Sequence, residues 1–180
     1  MTILRPRNAI FAALAMLPLA ACSSSAPPPV ARAAAAPMLP QQDAMFMNYV
    51  ATANANEMAA SQLAQKNGGS AIRRFATQMI TDHQMAGDKA MALAQAKMIT
   101  PPMAPDDAHT QMVSAMQNVK GHAFDKGYMD AQVADHVTTV SMFQKEAQDG
   151  ADPDVKAFAA QNLPAMEQHL TMARRLDPKR

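Results

Sequence analysis

The chain has 180 residues, one cysteine and nearly balanced charge, with 16 Lys and Arg against 15 Asp and Glu. A single cysteine excludes a disulfide framework within the chain, and balanced charge does not favour a nucleic-acid partner, which selects a basic face. The length suits a leader followed by one domain with one hydrophobic core.

The first 21 residues have the pattern of a bacterial lipoprotein signal peptide. Arg5 and Arg7 form a basic start, and an apolar run of about a dozen residues follows, which is too short for a stable membrane-spanning helix. The run ends in Leu19-Ala20-Ala21-Cys22, which resembles a lipobox, so we predict that Cys22 is lipidated and becomes the N-terminus. A cleaved signal peptide that merely contains a cysteine is the alternative.

Residues 22–42 are predicted to be the lipidated cysteine and a tether, because Ser, Pro and Ala dominate them. Lipid chains on Cys22 would make the membrane a partner of this protein. Ser23 after the cysteine indicates the outer membrane of a Gram-negative cell, with the domain facing the periplasm. The sequence does not identify a protein partner.

Residues 43–180 are predicted to form an all-α domain, because Ala, Met, Gln, Lys and Glu are frequent and β-branched runs are few. Asn67-Gly68-Gly69 separates the first two helices, with Ser70 as N-cap, and Asp152 caps a helix that begins at Pro153. Pro164 should kink that last helix or leave a local bulge in it. The four long helices are predicted at 44–66, 70–98, 122–148 and 153–176. A short helix at 106–119 is predicted between the second and the third. Both an up-down bundle and one with a crossover before the third long helix fit these ranges.

Each long helix carries one ionisable side chain on its apolar face, and these are Glu57, His83, His136 and His169. At 1.5 Å of rise per residue, all four fall near the middle of the bundle in either topology. Imidazole and carboxylate are ligands of Zn, Fe, Mn, Cu and Ni, so the four residues are a candidate site for one divalent metal.

Asp82, Asp135 and Tyr128 are predicted to support this site without binding the metal. Each aspartate precedes a histidine and points about 100° away around the helix, towards a neighbouring side chain. The alternative is that the four residues form a buried polar network that fixes helix register. His109 and His122 are expected to be exposed. Of the 17 methionines, those after the signal peptide are mostly expected to fill the core, although a Met-rich periplasmic protein also suggests copper.

Three segments resemble the signatures of the DUF 4142 family: RRFATQMITDHQ, FDKGYMDAQVADH and LPAMEQHLTMARRL. The resemblance covers about residues 44–176 and implies a ferritin-like four-helix bundle in a secreted or outer-membrane bacterial protein. It implies no defined activity.

Di-iron bundles use Glu-x-x-His on two helices, but here Ile80, Val133 and Met166 stand three residues before the histidines. A mononuclear histidine-rich site, or no metal, therefore fits better than di-iron chemistry. With no motif for nucleophilic catalysis, the sequence indicates a lipid-anchored envelope protein with a binding or maintenance role, and an enzyme is not favoured. A ferritin-like metal-dependent oxidoreductase and a metal-free structural stress lipoprotein remain the alternatives.

Overall fold

The computed structural model describes residues 38–178, and within this range every regular element is a helix. The predicted signal peptide, Cys22 and most of the tether lie outside the described residues. The helices are α1 (Gln41–Asn67), α2 (Ser70–Ala96), α3 (Asp107–Met116), α4 (Gly121–Asp149) and α5 (Pro153–Leu176). None of these described helices has the length and apolar character needed to cross a membrane.

The fold is a ferritin-like four-helix bundle with an extra short helix in the connection between α2 and α4, as the sequence predicted. Helices α1 and α4 are antiparallel neighbours, because Gln42 near the start of α1 donates to Glu146 near the end of α4 at 3.2 Å. Helices α2 and α5 are also antiparallel, since Lys97 after α2 pairs with Asp152 before α5 at 2.7 Å.

The connection between α2 and α4 is a crossover that runs the length of the bundle. Helix α2 ends beside Asp152, whereas Lys120 before α4 contacts Asn67 at the opposite end. Asn67 also donates to the backbone oxygens of Met116 and Gln117, at 3.2 and 2.9 Å, which fixes the end of α3 there. Of the two topologies that fit the sequence, the crossover is therefore correct and the up-down bundle is wrong.

Local chemistry explains the helix ends. Asp152 accepts hydrogen bonds from the backbone N–H groups of Asp154 and Val155, and Pro153 occupies the first helical position, as predicted. Ser70 is not the N-cap of α2: Gly69 takes that position, and its N–H donates to Asp125 of α4 at 2.9 Å. Helix α5 continues through Pro164 without a break.

The hydrophobic core consists of two clusters, one towards each end of the bundle. One surrounds Phe46, Phe143 and Phe158, whose rings meet edge-on or tilted. The other surrounds Phe75 and Tyr128. Between the two lies a layer of buried polar side chains: Glu57, His83, Gln132, His136 and His169. This layer sets the position of the candidate site.

Candidate functional site

Three of the four predicted residues, His83, His136 and His169, meet in the bundle centre. Their exposed fractions are 5%, 1% and 1%, and their ring centroids are 5.4 to 6.0 Å apart. One ring nitrogen from each lies within 4.8 Å of those from the other two. Helices α2, α4 and α5 each contribute one ring, so the set depends on the packing of three separate helices.

Each imidazole is anchored through one of its two nitrogens. His83 Nδ1 lies 3.2 Å from Asn54 Oδ1 of α1, and His136 Nδ1 lies 2.9 Å from the backbone oxygen of Gln132. His169 Nε2 lies 2.8 Å from a carboxylate oxygen of Asp82. Because these partners are oxygen acceptors, each anchored nitrogen carries the proton and donates.

The other nitrogen of each ring is buried and has no hydrogen-bond partner among the described residues. These atoms are His83 Nε2, His136 Nε2 and His169 Nδ1. When a ring carries one proton, that proton is on the anchored nitrogen, and the other nitrogen has a free lone pair. Three buried lone pairs without a hydrogen-bond donor are unfavourable in a protein core. This arrangement therefore suits an electron-pair acceptor, such as a metal ion, between the rings.

Burial keeps two of the imidazoles neutral. Desolvation, followed by the positive charges that His169 and His136 could carry, lowers the pKa of His83 to about 3. Desolvation and His169 likewise lower the pKa of His136 to about 4. Both rings are therefore uncharged at neutral pH, and uncharged imidazole is the form that binds metal ions.

Glu57, the fourth predicted residue, is not part of the three-nitrogen set. Its Oε1 lies 3.6 Å from His136 Nδ1, which is the anchored nitrogen and not the free one. The side chain of Gln132 donates to Glu57 Oε2. Burial raises the pKa of Glu57 to about 8, although the Gln132 hydrogen bond opposes this rise. The carboxyl group therefore lies beside the anchored nitrogen of His136.

The three predicted supporting residues take different positions. Asp82 contacts a histidine of a neighbouring helix, as described above. Asp135 instead holds His109 of α3, whose Nε2 lies 3.2 Å away. The Tyr128 hydroxyl pairs with Ser61 at 2.9 Å and contacts none of the three histidines by hydrogen bond.

His109 is less exposed than expected, whereas His122 is exposed as expected. His109 is bound between Asp106 and Asp135, and only 20% of its side chain is accessible. Asp106 is in turn held by Asn56 of α1, which both donates to and accepts from it. The crossover helix is thus fixed against the middle of the bundle.

Asn54 and Gln132 were not predicted as site residues. Asn54 orients His83, and Gln132 binds both His136, through its backbone, and Glu57, through its side chain. A signal for Asn54 exists in the sequence, because asparagine is a poor helix former and Asn54 and Asn56 interrupt an Ala-rich helix. The sequence does not tell which histidine it would meet.

A family model described as a domain of unknown function (DUF4142) matches residues 28–176. No curated protein matches the chain. Among solved structures, the chain is similar to the crystal structure of a DUF305 fragment from Deinococcus radiodurans, with a TM-score of 0.66 at 15% sequence identity. That match covers 78% of this chain and 98% of the other, and at this identity the likeness concerns the fold alone.

Proposed function

The chain belongs to the DUF4142 family, a domain of unknown function, and we propose that its bundle core binds one divalent transition-metal ion through His83, His136 and His169. The observation that carries this proposal is the set of three buried nitrogens without partners, each on a ring whose other nitrogen is anchored. Histidines that bind metals commonly donate their second N–H to a carboxylate or a carbonyl oxygen, as these rings do.

The donor set also limits the kind of ion. Three buried imidazole nitrogens suit Zn, Cu, Fe or Ni, whereas Ca and Mg prefer oxygen ligands. Glu57 and Asp82 would act through the histidines: Asp82 would orient His169, and Glu57 would lie beside the anchored nitrogen of His136. This assignment keeps Glu57 at the site but does not make it a ligand.

We further propose that the protein works as a lipid-anchored module of the cell envelope. The lipobox-like sequence that ends at Cys22 supports this location, and the Pro-rich tether would place the bundle away from the membrane surface. Cys22→Ser should move the protein from the membrane fraction to the soluble periplasmic fraction. Retention of the variant in the membrane would contradict lipid anchoring at Cys22.

The test of the metal site is elemental mass spectrometry on the full chain, purified without chelator. We expect about one equivalent of a transition metal in the wild-type protein, which three histidine ligands can hold, and a large loss in His136→Ala. The matched control is His122→Ala, which removes an exposed histidine outside the set and should keep the metal.

A different outcome would favour the structural alternative. If wild-type protein contains little metal, and added Zn, Cu, Fe or Ni salts do not raise its melting temperature, the three histidines are a polar packing layer only. His136→Ala would then change stability equally with and without metal salts. The oxidoreductase alternative has less support, because the chain lacks the Glu-x-x-His motifs of di-iron bundles.

A further inference from the structure

A small cavity of about 20 Å³ adjoins the three-histidine layer at His83. His83 itself lines it, together with Ala86, Thr139 and Met166. Ala86 lies one helical turn from His83, Thr139 one turn from His136, and Met166 one turn from His169, all towards the cluster of Phe46, Phe143 and Phe158. The cavity is therefore in the layer of the core next to the three rings.

The opposite side of the ring layer is formed by buried side chains. Met79, Gln132 and Ala173 lie one turn away from the histidines in the other direction, and their exposed fractions are 0%, 1% and 0%. Three protein ligands leave a position open on a metal ion that prefers four. The small cavity lies on the side of the ring layer away from Met79, Gln132 and Ala173.

The size and the chemistry of the cavity limit what can enter it. Its volume is slightly above that needed for one water molecule, for which about 10–15 Å³ is the minimum. Most of its wall is aliphatic or aromatic, and the Thr139 hydroxyl already pairs with Tyr49 at 2.8 Å. A neutral molecule of one to two heavy atoms therefore fits better than an anion.

A larger pocket at the surface lies next to this cavity. A surface pocket of about 200 Å³ is lined by Tyr49, Glu57 and His109, among others. Ala53 and Thr139 line both this pocket and the small cavity, so they form the wall between them. A short side chain at position 53 keeps this wall thin.

We propose that the cavity receives one small neutral ligand, of the size of water or dioxygen, at the open position of an ion held by His83, His136 and His169. This inference rests on the proposed metal site. It adds that the site is an open one, able to bind an exogenous molecule, and not a closed structural centre. Ligand access is expected through the wall formed by Ala53 and Thr139.

Carbon monoxide on Cu(I) tests this inference, because the C–O stretching band in the infrared reports directly on an open copper position. The full chain is loaded with Cu(I) without oxygen, its copper content is measured, and the spectrum is recorded under carbon monoxide. Ala53→Leu and Ala86→Leu each add three carbon atoms at the cavity wall. Ala55→Leu is the matched control, since Ala55 lines a different pocket on α1.

We expect one C–O band in the wild-type protein and in Ala55→Leu, and its loss in Ala53→Leu and Ala86→Leu at unchanged copper content. Circular dichroism identifies a variant that fails to fold, and the other variant then decides. A copper-loaded wild-type protein without the band, or the same band in both filled variants, would overturn the inference and leave the metal site standing. Failure of the wild-type protein to bind Cu(I) or any other transition metal would instead overturn the metal site itself.

Discussion

Gly87 of α2 packs against Asn54 of α1 so closely that a Cβ atom at position 87 would lie 2.6 Å from Asn54 Nδ2. The same Asn54 side chain is the partner of His83 Nδ1. A glycine within a helix costs about 1 kcal/mol relative to alanine, and here it provides the space in which the histidine is oriented. The two residues therefore link the backbone of α2 to the geometry of the candidate site.

Gly87→Ala should weaken metal binding without unfolding the protein. The new methyl group displaces Asn54 from His83, and loss of a partner behind a metal-binding histidine typically costs about 10–100-fold in affinity. The higher helix propensity of alanine offsets part of the clash in stability. Competition with a chelator measures the affinity. Gly127→Ala in α4, where the neighbour is the flexible end of Met116, is the control and should leave affinity unchanged.

Asp82→Asn should also weaken metal binding, because a neutral amide holds His169 less firmly than a carboxylate does. We expect a loss of about tenfold or more, by the same reasoning on histidine partners. The control is Asp88→Asn on the same helix, where the exposed carboxylate contacts Gln84 and no histidine. Equal affinities of the two variants would show that Asp82 does not support the site.

Tyr128→Phe tests whether Tyr128 contributes to core stability alone or also to the candidate site. The variant keeps the ring between Phe75 and Phe124 but leaves the buried Ser61 hydroxyl without its partner. We expect a loss of about 1–2 kcal/mol in the free energy of unfolding, measured with urea, and no change in metal affinity. A weaker metal affinity in this variant would support the role in the site that the sequence suggested for Tyr128.

The stability of the metal-free protein should depend on pH through Glu57. Its pKa is about 8 in the folded state and 4.5 when unperturbed, so between these values the folded state keeps a proton that the unfolded state has lost. The free energy of unfolding therefore falls as the pH rises through this range. His83 and His136 act in the opposite direction below pH 6.5, because only the unfolded state is protonated there.

Below pH 6.5 the effect of the two histidines exceeds the opposite effect of the one carboxyl group, and above pH 6.5 only the carboxyl effect remains. These three residues therefore give the highest free energy of unfolding near pH 6.5. Of these three residues, only Glu57 contributes from pH 6.5 to pH 8, and it should lower the free energy of unfolding by about 2 kcal/mol. Glu57→Gln removes this titration, so urea unfolding of the metal-free variant should show a smaller decrease over the same range. Identical decreases in both proteins would contradict the assignment of a protonated Glu57.

The sequence predicted the bundle and the height of its polar residues well, because helix periodicity and the rise per residue are local properties. It did not predict the topology, since short and long connections both fit the same helix lengths. It also did not distinguish Asp82 from Asp135, which occupy the same position before a histidine. Their different partners, His169 and His109, depend on which helices pack together.

The crossover divides the chain into two helical hairpins, α1–α2 and α4–α5, each contiguous in sequence. Short-range hairpins close rapidly, whereas contacts between distant segments form more slowly. His83 belongs to the first hairpin, and His136 and His169 belong to the second. The three-nitrogen set therefore exists only after the two hairpins dock. A bound ion would stabilise this last assembly step of folding, and its removal would first weaken the packing between the two hairpins.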